Sequence, residues 1–302
     1  MSMELEQAPV VRLSNLSKHF RNVTAVDRLS LDVMPGDVLA LIGANGSGKS
    51  TTFRLMLNIY RASGGESLLL QVPSSKLNGD DFERVCYISE GQKLPLWMRV
   101  EYFLRYCSQM YPRWDQDLCD NLTEAFGLPM QQKIKHLSRG QKMKLAVAST
   151  LPCRPKLLLL DEPFSGLDVE TRAQLSTLLK KLSRDDGLAT IITTHDVEEV
   201  EPVANRIAIL NQGRLVVDES LDDFMSRHRR ILLEGMPPGS LPENLTRPLI
   251  SVDSLDGSTQ YITDHYSEQF SQEMEKHLPP GAQLKAEKMT LREILTGKAV
   301  KL

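Results

Sequence analysis

Apolar residues alternate with polar ones over part of the chain and run uninterrupted over others. Leu29, Leu31 and Val33 alternate with polar neighbours, so residues 8 to 34 are expected to form strands, ended by a turn at Pro35-Gly36-Asp37. The next run, Val38 to Ile42, is apolar throughout, as in a strand covered on both faces, and leads through a glycine-rich loop into the helix-like stretch KSTTFRLMLNIY. Between about 99 and 152, Val100, Phe103, Leu104, Cys107, Met110 and Tyr111 share one helical face, as do Leu118, Leu122, Ala125 and Phe126. A helical insertion over about 96–152 is expected. Strand-like runs at 156–160 and 188–193 then flank a helix carrying Leu175, Leu178, Leu179 and Leu182, which predicts a parallel sheet with helices packed on it.

Residues 206–217 read as a hairpin turning at Asn211-Gln212-Gly213, and the charged run SRHRR at 226–230 reads as a solvated junction. Two domains are expected, 1–225 and a small α/β appendage at 226–302. The appendage should hold strands near 230–234, 248–253, 259–263 and 282–287 and helices near 267–277 and 290–297, with a proline-rich loop, PPGSLPENLTRP, inside it. No internal repeat is evident.

Composition narrows the class. With 302 residues and 41% hydrophobic content the chain can bury a sizeable core, and a net charge of -3 gives no global basic field, so no nucleic-acid partner is expected. Four separated cysteines, Cys86, Cys107, Cys119 and Cys153, form no CxxC pair, which speaks against a zinc cluster and for reduced thiols. No apolar run approaches the roughly 18 to 20 residues that span a bilayer, and the N-terminal stretch lacks a basic segment followed by an apolar core. A membrane role would come through a partner.

GANGSGKS, from Gly43 to Ser50, fits G-x-x-x-x-G-K-[ST] between a strand and a helix. Its glycines let backbone N–H groups converge on phosphate, and the nucleotide cradle is assigned to Gly43, Asn45, Gly46, Ser47, Gly48, Lys49, Ser50 and Thr51. Lys49 would neutralise the β- and γ-phosphates, Ser50 would ligate Mg²⁺, and the helix N-terminus adds about half a positive charge. Downstream, four leucines end in Asp161-Glu162-Pro163, which sets two carboxylates at the carboxyl end of a buried strand, where ligands bind in open α/β sheets. Asp161 is expected to hold Mg²⁺ and Glu162 to polarise the attacking water. His195, in IITTHD, should lie at the same sheet edge and donate to the γ-phosphate, whereas His136 and His228 are read as structural.

LSRGQ, at 137–141, precedes a helix-like stretch about 20 residues before that strand, and here the sequence resembles the ABC ATPase family, whose signature is LSGGQ. GANGSGKS, LSRGQ, LLLLDEP, SGLD and TTHD follow in the family's order, over roughly residues 8–225. The resemblance implies a P-loop NTPase fold with an ABC-type core sheet, ATP and Mg²⁺ as cofactors, Phe20 as the aromatic stacked on adenine, and Asp168 in the loop that communicates between sites. Ser138, Gly140 and Gln141 begin a helix and would cap a second anion. In the family that second grip comes from the opposite subunit, so a second copy or a paralogue is an implied partner, in a head-to-tail dimer.

Two positions depart from the family. Arg139 stands where the signature usually has glycine, and Glu90 stands where glutamine usually follows the strand CYIS. Glu90 is taken as the third metal ligand, with Gln92 as its competitor. Leu94, Leu96, Trp97 and Met98 fall where the family receives its membrane subunit; they form either that docking surface or the insertion's own core. KMTLREILTGK, at 288–298, is similar to the ending of export-type bacterial ATPase subunits. The combined expectation is the ATP-hydrolysing motor of an exporter, peripheral on the cytoplasmic face through a separately encoded membrane-spanning subunit. Mechanotransmission without transport, and a nucleotide-binding regulatory subunit, are the alternatives.

Overall fold

A computed structural model describes residues 8–235, 245, 249–255 and 258–296. The proline-rich loop at 237–248 falls outside the described residues except for Leu245, as do the two final residues of KMTLREILTGK. Contacts divide the chain into a unit ending at Asp218 and a second beginning at Glu219.

In the first unit, β1 (Val11–Phe20), β2 (Val23–Val33), β4 (Gly64–Leu69) and β5 (Val72–Pro73) form an antiparallel sheet in the order β2-β1-β4-β5. A second sheet runs β10-β9-β3-β8-β7-β6, using β3 (Val38–Ile42), β6 (Val85–Ile88), β7 (Leu157–Asp161), β8 (Ala189–Thr194), β9 (Arg206–Asn211) and β10 (Arg214–Ser220). Strands β6, β7, β8, β3 and β9 are parallel neighbours. Every residue of β3, β7 and β8 is buried, which is why their sequences are continuously apolar or threonine-rich instead of alternating. Leu13, Leu29, Leu39, Leu41, Phe53, Leu159 and Ile191 belong to one core shared by both sheets and by helix α1 (Lys49–Met56).

After the short α2 (Gly79–Phe82), the helices α3 (Val100–Met110), α4 (Gln116–Ala125) and α5 (Arg139–Ala148) occupy the expected insertion, and α6 (Val169–Asp186) follows β7. All four cysteines are free and buried, and among the described residues no group of three or more His, Cys, Asp or Glu is placed to hold a metal ion. The Cys153 thiol hydrogen-bonds with that of Cys86, and this contact and burial push its pKa up.

The second unit opens with α7 (Leu221–Arg227) and builds a sheet in the order β12-β13-β11-β14 from β11 (Arg229–Glu234), β12 (Leu249–Leu255), β13 (Ser258–Thr263) and β14 (Gln283–Lys288). Helices α8 (Glu268–Glu275) and α9 (Leu291–Thr296) complete it, and Ile231, Leu233, Leu245, Tyr261 and Met274 form its core. The reading of SRHRR as a solvated face is corrected here. Arg227 pairs with Glu219 at 2.6 Å, the Arg229 guanidinium lies 5.0 Å from the Tyr266 ring centroid, and Arg230 pairs with Glu293 at 2.8 Å. His228 is buried with Nδ1 2.6 Å from the Phe224 carbonyl, a structural role.

Candidate functional site

The carboxyl ends of β3, β8 and β7 finish flush: Ile42 pairs with Thr194, and Asp161 with Thr193. The loop from Gly43 to Gly48 leaves β3 at this edge. Gly48 has φ 110°, and a Cβ there would strike the Ala25 carbonyl; one at Gly43 would strike Ser47 Oγ and the Leu210 carbonyl. Side chains are excluded at these two positions, so backbone groups line the turn there. Asn45 is exposed on its rim and Thr51 is half-buried in the first turn of α1. Lys49 is 6% exposed, and its Nζ donates to the carbonyls of Gly43 at 2.6 Å and Ala44 at 3.4 Å. Burial lowers the Lys49 pKa against the opposing pull of Glu162 and Asp161. Ser47 Oγ is buried with no partner. A cradle of backbone groups holding an orphan hydroxyl and a buried ammonium fits a phosphate chain.

Asp161 is buried and collects three hydroxyl donors: Thr193 Oγ1 at 2.6 Å, Ser50 Oγ at 3.2 Å and the Tyr87 phenol at 3.3 Å. Burial, then the Asp161 charge, pushes the Tyr87 pKa up to about 12, so the phenol stays protonated as a donor. Glu162 has a left-handed backbone, φ 51°, with its N–H donating to Thr193 O at 3.1 Å and Thr193 Oγ1 at 3.2 Å. Its Oε2 lies 2.9 Å from His195 Nδ1, and this hydrogen bond raises the His195 pKa. Lys49, Ser50, Asp161, Glu162 and His195 therefore gather at one edge, as the sequence predicts. Thr193 and Tyr87 join them unanticipated; their register on β8 and β6 beside β7 was the available signal.

A second group lies at the start of α5. Ser138 Oγ accepts from Gln141 N at 3.2 Å while Gln141 Oε1 accepts from Ser138 N at 3.0 Å, a capping box that uses the Gln141 side chain internally. A Cβ on Gly140 would lie 3.6 Å from Asp168 Oδ2. Asp168 caps α6, accepting from Thr171 N at 2.8 Å and Thr171 Oγ1 at 3.0 Å, and these bonds lower its pKa. A cavity of about 500 Å³ is lined by Gln92, Arg139, Lys142, Glu162, Ser165 and other residues, so it touches both Glu162 and the first turn of α5.

The loop after β6 sets the two competitors apart. Gln92 Oε1 accepts from Ser89 N at 3.2 Å and Ser89 Oγ at 3.1 Å, so its carboxamide closes the loop. The Glu90 carboxylate is exposed and paired with Arg139 at 3.9 Å. Phe20, 40% exposed, meets Tyr60 edge-on at 5.4 Å, with Lys18 Nζ 4.9 Å from its ring centroid.

Fold and site together define a P-loop nucleotide-binding protein. A model of the ABC transporter family matches residues 26–165. The chain is 35% identical to the sulfate/thiosulfate import ATP-binding protein CysA of Xanthomonas campestris over 70% of its own length and 63% of that protein's. It is 33% identical to the ABC transporter ATP-binding protein YhcH of Bacillus subtilis over 71% and 72% of the two chains. With the methionine import ATP-binding protein MetN of Rhizobium johnstonii it shares 31% identity over 78% and 68%. The solved ATP-binding subunit of an ABC transporter superposes with a TM-score of 0.65 at 24% identity, covering 72% of this chain and 92% of that one. For cbiO1 of Clostridium perfringens the TM-score is 0.62 at 24% identity, covering 71% and 89%. The chain belongs to the family of ABC transporter ATP-binding proteins, and ABC ATP-binding domains are ATPases. It spans 63% of the length of CysA, and the two relatives named here with a stated cargo are import proteins, so the expectation of export gains no support from them.

Proposed function

We propose that the chain is the ATP-hydrolysing motor subunit of an ABC transporter, working as a head-to-tail dimer and coupled to a separate membrane-spanning subunit. The observation that carries this reading is the division of the site. Lys49, Ser50, Asp161, Glu162 and His195 meet at one sheet edge, while Ser138 and Gly140 lie at the start of α5, a separate helix. In the proposed dimer each nucleotide is gripped by the first group of one subunit and the second group of the other.

Lys49 exchanges its loop carbonyls for phosphate oxygens, and the buried Ser47 hydroxyl gains a partner. Ser50 and Asp161, already hydrogen-bonded to each other, would hold Mg²⁺, with Glu90 as the third candidate. Bound there, Mg²⁺ would neutralise charge on the β- and γ-phosphates. Glu162 orients the attacking water and accepts its proton; His195, held by Glu162, donates toward the γ-phosphate. Phe20 offers an exposed ring to adenine.

Among the described residues no helix is long and apolar enough to cross a membrane. Leu94 is buried in the first unit, whereas Trp97 and Leu96 are 74% and 51% exposed. The Leu96 carbonyl is held by Lys135 N at 3.0 Å and the Met98 carbonyl by Ile134 N at 2.9 Å, a braced segment suited to docking a membrane subunit and keeping the chain peripheral. Cargo and direction belong to that subunit. The test of the reading is Glu162→Gln protein at saturating Mg-ATP: sedimentation should show a dimer that reverts to monomer without nucleotide, and a strictly monomeric species would refute it.

A further inference from the structure

Arg139 makes three contacts that no motif predicts. Its Nη2 donates to Ser165 Oγ at 3.2 Å and lies 3.9 Å from Glu90 Oε1. Its side chain also covers Gly166, φ 70°, where an added Cβ would come within 3.0 Å of Arg139 Nη1. The seat exists because Gly166 has no side chain. Ser165 is tied in turn to the catalytic segment, its N–H donating to the Glu162 carbonyl at 3.3 Å. One guanidinium at the first turn of α5 therefore holds both the loop after β6 and the loop after β7.

The two residues of the ion pair are also the two departures from the ABC pattern, and they are complementary: a positive charge is gained on one segment and a negative charge on the segment facing it. The pair is exposed on both sides, 58% and 60%, so it is weak enough to be exchanged. A nucleotide phosphate at the α5 N-terminus would compete for the same planar fork.

We propose that Arg139 is a positioning residue which, through Glu90, makes occupancy of a subunit's signature helix felt at the loop after β6 of that same subunit. The proposal rests on the head-to-tail dimer, in which the signature of one subunit meets the nucleotide of the other. It supplies a path by which each of the two sites senses the other.

The test has two arms on the full chain. In nucleotide-free protein, hydrogen exchange is read at the amides of Gln92 and Lys142, which donate to the Ser89 and Ser138 carbonyls at 3.1 and 3.0 Å. Glu90→Gln and Arg139→Gln should each accelerate exchange at both amides about threefold, and the charge swap Glu90→Arg with Arg139→Glu should return it to within about twofold of wild type. Additive effects without recovery in the swap would overturn the pair. In the second arm, the Hill coefficient for ATP hydrolysis should fall toward 1 in Arg139→Gln and recover in Arg139→Lys. An unchanged coefficient in Arg139→Gln would overturn the link between sites. Because exchange is read without nucleotide, failure of the dimer reading is separable from failure of the pair.

Discussion

Glu162 sits in a conformation that costs a non-glycine residue on the order of 1–3 kcal/mol, and its φ of 51° is held by two hydrogen bonds to Thr193. The strain aims the carboxylate at His195 Nδ1, 2.9 Å away. The consequence is a pH dependence of fixed sign. The carboxylate raises the imidazole pKa in the folded state, so the pair stabilises the fold fully below the unfolded value near 6.5 and loses that stabilisation as pH rises through the higher folded value. An NMR titration should give His195 a midpoint above 6.5 that returns toward 6.5 in Glu162→Gln; an unchanged midpoint would remove the pair. Both residues were legible as strand-end chemistry. The left-handed backbone was not, because nothing in Asp161-Glu162-Pro163 distinguishes it from an extended turn.

Strand neighbours carry what single residues cannot. Since β7 lies between β6 and β8, Asp161 receives hydroxyls from both sides, from strands remote in sequence. Thr193→Val should lower kcat about tenfold, and Tyr87→Phe, whose contact is 0.7 Å longer (3.3 against 2.6 Å), only about threefold. Steady-state ATPase assays check this, and a larger loss in Tyr87→Phe would reverse the ranking of donors. The apolar runs of β3, β7 and β8 and the helix faces of the insertion were readable from periodicity. The β4-β5 hairpin was not: its turn places Leu70 at φ 52° and Gln71 at φ 68°, without the glycine or asparagine that normally announces such a turn. SRHRR misled for a related reason, since a run of charge looks solvated until its partners Glu219, Tyr266 and Glu293 are brought alongside by folding.

At the scale of the whole molecule, the chain carries one P-loop and one signature motif, and the proposed head-to-tail dimer would bring the signature of one copy to the P-loop of the other. The proposed coupling to a membrane subunit asks for an exposed surface, and the Leu96-Trp97 segment is exposed on a braced backbone, with Leu96 lining the cavity that Glu162 also lines. Trp97→Ala should keep basal ATPase within about twofold, as surface changes away from buried features usually do, yet lose stimulation by the membrane partner. ATPase assays with reconstituted partner decide it, and full stimulation in the variant would dismiss the docking surface. Sequence placed the apolar cluster but could not divide it; folding turned Leu94 inward and left Trp97 out.

That exposed indole gives the chain an optical reporter of its own. It has two tryptophans, and the other, Trp114, is stacked on Tyr111 at 6.4 Å with its N–H donating to Gln116. Trp97 should therefore emit as a water-exposed fluorophore, open to collisional quenchers. Whatever covers that segment would shift its emission blue and shield it, so docking can be followed in real time without attaching a label.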